Sequence, residues 1–139
     1  MKKILIVIAD YYEDISSSLL KSAKSNLSNF SLKIIKVPGV FEIPVTISKN
    51  IKKYDGFIAL GCVIKGKTPH FELICKSSFN AILNLSISYG KPIGNGIITA
   101  LNKKQAYERC GKIKSNKTNK GYEAAKAVSS ILKNGSKKI

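Results

Sequence analysis

Several residue types are scarce in this sequence, and each shortage excludes a class of protein. Three cysteines, at positions 62, 75 and 110, are an odd number without the paired spacing of a zinc site. We therefore expect free thiols in a reducing cytoplasm, with no disulfide framework and no cysteine-bound metal. No apolar run approaches the roughly 20 residues that a membrane-spanning helix needs. Only four prolines and 44% hydrophobic residues predict a packed domain.

The first residues could be mistaken for a secretory signal, because Met-Lys-Lys precedes an apolar stretch. That stretch is too short for a signal peptide, and Asp10, Glu13 and Asp14 follow it at once. We interpret it as the first buried strand of a cytoplasmic protein.

Acidic residues are also scarce, with 8 against 24 basic ones, and the net charge is +16. Such a charge suggests a nucleic-acid partner. However, 23 of the basic residues are lysines spread along the chain, and no helix-turn-helix, RNA-binding or zinc-finger signature accompanies them. We interpret the charge as compositional and expect no nucleic-acid partner. Arg109 is the only arginine, and its planar guanidinium can bind phosphate or carboxylate through two hydrogen bonds.

Hydrophobic periodicity predicts strands that alternate with helices. The predicted strands are 3–9, 32–37, 56–61 and 93–100, the predicted helices are 13–30, 43–51, 69–88, 103–110 and 119–132, and a lysine-rich loop (112–118) and a terminal tail (134–139) complete the chain. This alternation requires right-handed crossovers. We predict a single domain over 1–139, an α/β/α three-layer sandwich whose mainly parallel four-stranded sheet has flavodoxin-like winding. Ligands bind such sheets beyond the carboxyl ends of the strands.

Residues 61–68 match the phosphate-loop pattern of NTPases letter for letter. Two features argue against a phosphate loop. Val63 and Ile64 are β-branched and favour extended backbone. The apolar strand ending in Asp10 also comes before the motif, whereas the phosphate loop normally follows the first strand. These features weigh against an NTPase, which we keep as an alternative together with a basic binding module.

A narrower hypothesis survives from this motif. Gly66, Lys67 and Thr68 lie at a strand-to-helix turn, where backbone N–H groups can bind an anion. Arg109 would be the charged partner of that anion. His70, the only histidine, follows the turn closely. A lone histidine is more often structural, but imidazole exchanges protons near neutral pH, and this position favours an acid–base role.

Five segments carry a family resemblance. They are Gly-Val-Phe-Glu-Ile-Pro at 39–44, Ala-Leu-Gly-Cys-Val-Ile-Lys-Gly-Lys-Thr-Pro-His-Phe at 59–71 and Gly-Asn-Gly-Ile-Ile-Thr at 94–99. The other two are Gln-Ala-Tyr-Glu-Arg at 105–109 and Asn-Lys-Gly-Tyr-Glu-Ala-Ala at 119–125. In these segments, and over essentially its whole length, the sequence resembles lumazine synthase. The resemblance implies a transferase of riboflavin biosynthesis that needs no cofactor. It condenses 5-amino-6-(D-ribitylamino)uracil with 3,4-dihydroxy-2-butanone 4-phosphate and releases 6,7-dimethyl-8-ribityllumazine, phosphate and water.

The resemblance also implies the roles of individual residues. Tyr11 would stack on the pyrimidine, with Tyr12 as the alternative, and His70 would transfer protons. The other implied contacts are Val40, Phe41 and Glu42 to the ribityl chain, Val63 and Ile64 to the pyrimidine edge, Gly66, Lys67, Thr68 and Arg109 to the phosphate, and Asn95 and Lys120 to complete the site. Lys67 departs from the acidic or small residue that is usual in the family.

A homo-oligomer is implied as well, because Asn95, Arg109 and Lys120 would come from a neighbouring subunit. Family members form pentamers, and some assemble twelve pentamers into a capsid. Nine residues separate Arg109 from Asn119 here, and capsid-forming members have a shorter turn. We therefore predict a pentamer or a decamer, and no capsid.

Overall fold

The structure is a computed structural model that describes residues 1–134. Its strands are β1 (Lys3–Ala9), β2 (Ser31–Val37), β3 (Gly56–Ile64) and β4 (Ile93–Ala100). They form one sheet in the order β2-β1-β3-β4, and all three pairs of neighbours are parallel. The predicted parallel sheet is therefore confirmed. The predicted tail lies outside the described residues from 135 onward.

The helices are α1 (Glu13–Lys24), α2 (Ile43–Asn50), α3 (His70–Tyr89), α4 (Lys103–Cys110) and α5 (Lys120–Asn134), and a 3₁₀ turn (Val40–Glu42) precedes α2. One core cluster joins α1, α4 and α5 to one face of the sheet, and a second joins the 3₁₀ turn, α2 and α3 to the other face. The central strand β1 alternates between the two clusters, with Ile6 in the first and Val7 in the second. A strand covered on both faces accounts for its continuous apolar run. The three-layer α/β/α fold is confirmed.

Two predicted boundaries were wrong by three residues or more, and several others differ by one or two residues. The helix predicted over 13–30 ends at Lys24. Leu27 and Phe30 are nevertheless buried, because successive turns with i→i+3 hydrogen bonds (Leu27 N to Lys24 O at 3.1 Å, Phe30 N to Leu27 O at 3.1 Å) keep a helix-like spacing. The strand predicted over 56–61 extends to Ile64.

Close backbone packing fixes α5 against the rest of the domain. A methyl group added to Gly94 would overlap the carbonyl oxygen of Ala124, and one added to Gly121 would overlap that of Leu19. Glycine at these positions allows α5 to approach β4 and α1 closely. In residues 1–134, no helix is both long enough and apolar enough to cross a bilayer.

Candidate active site

A cleft of about 670 Å³ opens beyond the carboxyl ends of β1, β2 and β3. This size is typical of small-molecule sites, and parallel sheets bind ligands at this edge. Nine of the predicted site residues line it: Tyr11, Val40, Phe41, Glu42, Val63, Ile64, Gly66, Thr68 and His70. They come from three separate segments of the chain, around positions 11, 40–42 and 63–70, which the sheet brings together.

The first half of the phosphate-loop pattern is extended strand. β3 pairs with β4 as far as Ile64, opposite Ala100, and the N–H of Lys65 continues the pairing with a bond to Ala100 O at 2.9 Å. A loop that wraps around a phosphate is not formed by residues 61–64. The turn that remains, 66–68, lies between β3 and α3, and the space beside Gly66 is open.

The backbone of β3 is unevenly paired at its carboxyl end. β1 pairs with β3 only as far as Leu60, whereas β4 pairs with it as far as Ile64. Beyond Leu60, the β1 side of β3 therefore lacks a neighbouring strand, and Val63 and Ile64 border the cleft there. Their backbone groups can hydrogen-bond a planar ligand, as the resemblance implies.

His70 is the first residue of α3, and its exposed side chain borders the cleft. Its backbone N–H bonds weakly to Thr68 Oγ1 at 3.4 Å, which links the helix start to the 66–68 turn. Phe71 and Ile74 continue the same wall, although our sequence analysis did not assign them to the site. The i, i+4 spacing from His70 to Ile74 on one helix face could have indicated the latter.

The two tyrosines at the cleft differ in freedom. The Tyr11 side chain is 76% exposed, whereas Tyr12 is half-buried against the core and its pKa is raised, mainly by burial. Their rings meet edge to face with centroids 4.9 Å apart. Tyr12 thus packs between Tyr11 and the core, and Tyr11 is the more exposed of the two rings.

The Glu42 carboxylate lies above Gly39. The backbone N–H of Glu42 bonds to Gly39 O at 3.2 Å, and a methyl group on Gly39 would be 3.0 Å from Glu42 Oε1. A side chain on Gly39 would therefore press on this carboxylate, which could shift by a few tenths of an ångström. It borders the cleft, where its oxygens can accept hydrogen bonds from hydroxyl groups.

Cys62 also borders the cleft but is only 6% exposed. Burial, with smaller contributions from Cys110 and Asp14, raises the pKa of its thiol to about 12. The thiol is thus neutral at physiological pH and is a poor nucleophile. In the 1–134 region, no three His, Cys, Asp or Glu side chains are grouped so that they could hold a metal ion.

Four predicted site residues do not line this chain's own cleft: Lys67, Asn95, Arg109 and Lys120. Lys67 is exposed in the 66–68 turn, and Asn95 lies near the amino end of β4, where its Oδ1 accepts a bond from Ile97 N at 3.0 Å. Arg109 Nη1 contacts Gln105 O at 3.2 Å in the last turn of α4. The meeting of Arg109 with the 66–68 turn therefore remains a prediction, which requires a neighbouring subunit.

Asn119 connects the end of α4, which carries Arg109, to the start of α5, which carries Lys120. Its Nδ2 donates to Cys110 O at 2.8 Å, and its Oδ1 accepts from Tyr122 N at 3.1 Å. The end of α4 is thus joined to the start of α5 across the intervening loop. Sequence analysis placed Asn119 in a motif without giving it this role.

Comparisons with known proteins agree with this geometry. A family model described as 6,7-dimethyl-8-ribityllumazine synthase matches residues 1–134. Three relatives carry the same name. The protein of Bartonella tribocorum is 45% identical over 130 residues (90% of this chain, 84% of the relative). That of Afipia carboxidovorans is 39% identical over 140 residues (94% and 84%), and that of Agrobacterium fabrum is 39% identical over 138 residues (93% and 91%).

Proposed function

This chain belongs to the 6,7-dimethyl-8-ribityllumazine synthase family, and we propose that its cleft condenses 5-amino-6-(D-ribitylamino)uracil with 3,4-dihydroxy-2-butanone 4-phosphate. The products are 6,7-dimethyl-8-ribityllumazine, phosphate and water. One observation carries the proposal: in a chain matched by the family over residues 1–134, a cleft at the ligand-binding edge of the sheet is lined by the segments implied to bind both substrates.

The pyrimidine would lie between the Tyr11 ring and the free side of the β3 backbone at Val63 and Ile64. Support comes from the exposure of Tyr11 and from the absence of a β1 partner beyond Leu60. The ribityl chain would run past Val40 and Phe41 toward the Glu42 carboxylate, whose oxygens can accept hydrogen bonds from several hydroxyls.

The phosphorylated ketone would bind at the 66–68 turn. Backbone N–H groups of this turn and of the start of α3 can donate hydrogen bonds to an anion, and the helix dipole stabilises its negative charge. Arg109 of a neighbouring subunit would supply the guanidinium, and Lys67 adds a positive charge beside the turn. Fixed donors of this kind stabilise the charge that develops on a departing phosphate.

In this arrangement the amine of the pyrimidine attacks the ketone and water leaves to give an imine, phosphate is eliminated, and the ring closes with loss of a second water. Holding two substrates in register can supply roughly 7–11 kcal/mol of the barrier. His70, at the cleft margin, would transfer protons and contribute on the order of 10²–10⁴-fold.

A closed ring of five subunits would complete each cleft. Asn95, Arg109 and Lys120 lie outside the chain's own cleft, and a neighbour related by cyclic symmetry could supply them. The cysteines Cys62, Cys75 and Cys110 are free, which fits a reducing compartment. We propose a cytoplasmic homopentamer.

Mixing the purified protein with both substrates tests the function. We expect the absorbance and fluorescence of the lumazine product to appear with time. His70→Ala should lower turnover on the order of 10²-fold while it leaves product affinity nearly unchanged, because His70 is proposed to move protons.

The alternatives give different results in the same preparation. Hydrolysis of ATP without lumazine formation would indicate an NTPase, and salt-dependent retention on DNA would indicate a nucleic-acid-binding module. Wild-type turnover by His70→Ala across pH 6–8 would assign proton transfer to another group.

A further inference from the structure

A hydrogen bond joins two helices that carry different parts of the proposed machinery. Tyr107 Oη, on α4, donates to Asp14 Oδ2, in the first turn of α1, at 2.9 Å, although the residues are 93 positions apart. Two ammonium groups lie near the phenol ring: Lys103 Nζ and Lys112 Nζ are 5.6 and 5.8 Å from its centroid. The pKa of Asp14 is lowered mainly by the hydrogen bond from Tyr107, with smaller contributions from the Ile15 N–H and from these lysines. The carboxylate therefore stays ionised. We call this pair the Tyr107–Asp14 link.

On the α1 side, the link reaches the first turn of α1, which directly follows the aromatic residues Tyr11 and Tyr12 of the cleft. Tyr12 O accepts the N–H of Ser16 at 2.9 Å, and the buried Ser16 hydroxyl donates to Ala9 O at 2.6 Å. The first turn of α1 is therefore fixed to the end of β1. Because the Tyr11 ring packs against Tyr12, the direction of this turn sets where Tyr11 lies.

On the α4 side, the link holds the turn that carries Arg109. Tyr107 O accepts the N–H groups of Lys112 and Ile113 at 2.9 and 3.3 Å, and Gly111 takes the left-handed conformation (φ 81°) that ends the helix. Tyr107 is thus bonded through both its carbonyl and its hydroxyl. Arg109 lies two residues after Tyr107, in the last turn of α4, and Tyr107 anchors this turn.

We infer that Tyr107 and Asp14 are positioning residues that fix Arg109 relative to Tyr11 within each subunit. The inference rests on the proposed function, in which Tyr11 serves the subunit's own cleft and Arg109 serves a neighbour's cleft. The link then sets the alignment of adjacent clefts around the ring. Loosening the link should weaken the binding of both substrates. Changing Arg109 should weaken mainly the binding of the phosphorylated ketone, and changing Tyr11 mainly that of the pyrimidine.

Tyr107→Phe is the direct test, because it keeps the ring and removes only the hydroxyl. We expect KM for each substrate to rise roughly threefold to tenfold, with kcat within about twofold of the wild type. Tyr89→Phe, at the exposed end of α3, is the matched control and should leave both KM values unchanged.

Substitutions of Asp14 separate the hydrogen bond from general packing. Asp14→Ala should reproduce the effect of Tyr107→Phe, and the double variant should be no worse than either single variant. Asp14→Asn keeps an acceptor oxygen and should retain KM values close to those of the wild type. A rise in KM for one substrate only, or an Asn variant as impaired as the Ala variant, would overturn the inference.

Amide hydrogen exchange gives a measurement that does not depend on activity. Tyr107→Phe should accelerate exchange in both 12–16 and 109–113, while Tyr89→Phe should not. Unchanged exchange in these segments would overturn the link, whether or not the protein makes lumazine. Conversely, a folded wild-type protein that makes no lumazine would overturn the proposed function alone.

Discussion

At the scale of single residues, Arg109 tests how the two substrates are divided between subunits. Arg109→Lys keeps the charge but loses the planar fork that binds phosphate through two hydrogen bonds. We expect KM for the phosphorylated ketone to rise roughly tenfold or more, with little change in affinity for the ribityl-pyrimidine. Steady-state kinetics with each substrate varied in turn would measure the two effects. Lys104→Ala, on the exposed side of the same helix, is a suitable control, and equal loss of both affinities would contradict this division.

Gly39 tests whether the position of the Glu42 carboxylate matters. Gly39 has φ −147°, which any residue adopts, so alanine would act only through its methyl group, 3.0 Å from Glu42 Oε1. We expect Gly39→Ala to shift the carboxylate by a few tenths of an ångström and to raise KM for the ribityl-pyrimidine modestly, by about twofold to threefold. In a Glu42→Ala background the same change should have no further effect, since the displaced group is missing. An additive loss of affinity in the double variant would mean that the added methyl group does not act through the Glu42 carboxylate.

Cys62 gives a pH dependence of known sign. Its thiol has a pKa of about 12 in the folded protein, mainly because of burial, against 9.0 for an ordinary thiol. Between these values the unfolded chain loses the proton first, so the free energy of unfolding falls as the pH rises above 9 and is unaffected below it. Denaturant unfolding at pH 8 and pH 10 should therefore show a larger loss in the wild type than in Cys62→Ala. An equal loss would mean that the thiol ionises freely in the folded state.

At the scale of elements, the crossing of α5 over α1 tests packing against helix propensity. Alanine stabilises a helix by roughly 1 kcal/mol relative to glycine, whereas overpacking costs roughly 1–3 kcal/mol. At Gly121 the obstructing atoms are the backbone of Leu19, which cannot rotate away. We therefore expect Gly121→Ala to lower the free energy of unfolding. Gly66→Ala, where the added methyl meets open space, is the control and should change it little.

Sequence patterns predicted most elements because each reflects how a segment is buried. The predicted strands over Lys3–Ala9 and Ile93–Ala100 have the bounds found in the structure, and both carry apolar residues on two covered faces. The pattern over 13–30 misled because Leu27 and Phe30 pack into the core from a turn that keeps helical spacing. The 3₁₀ turn Val40–Glu42 was missed, since three residues carry no periodicity.

The candidate site was predicted unevenly for a physical reason. Residues that follow strand ends could be assigned to one edge from topology alone, and the cleft contains Tyr11, Glu42 and His70. Cys62 and Phe71 could not be assigned, because their direction depends on where β3 ends and where α3 begins. The proposed partners of Arg109 would lie in a neighbouring subunit, so neither the sequence pattern nor a single subunit determines them.

At the scale of the whole molecule, the loop between α4 and α5 bears on how subunits assemble. It is exposed from Gly111 to Thr118, carries three lysines (Lys112, Lys114 and Lys117) and contains no acidic residue. Packing several copies of it between rings would bring like charges together and remove them from water without acidic partners in the loop, which is unfavourable.

We therefore expect a pentamer, or two pentamers weakly paired into a decamer, and no capsid. Light scattering at moderate salt would measure the mass of the particle against the 15.2 kDa chain. Raising the salt should favour pairing of rings, because screening shortens the range of lysine repulsion to about 3 Å at 1 M. Replacing Lys114 and Lys117 with serine is the matched variant, because Lys112 lies beside Tyr107: it should strengthen contacts between rings without changing activity per subunit. A wild-type particle of about 60 subunits would show that the charged loop does not prevent capsid assembly, and a stable, active monomer would show that a neighbour is not needed to complete the cleft.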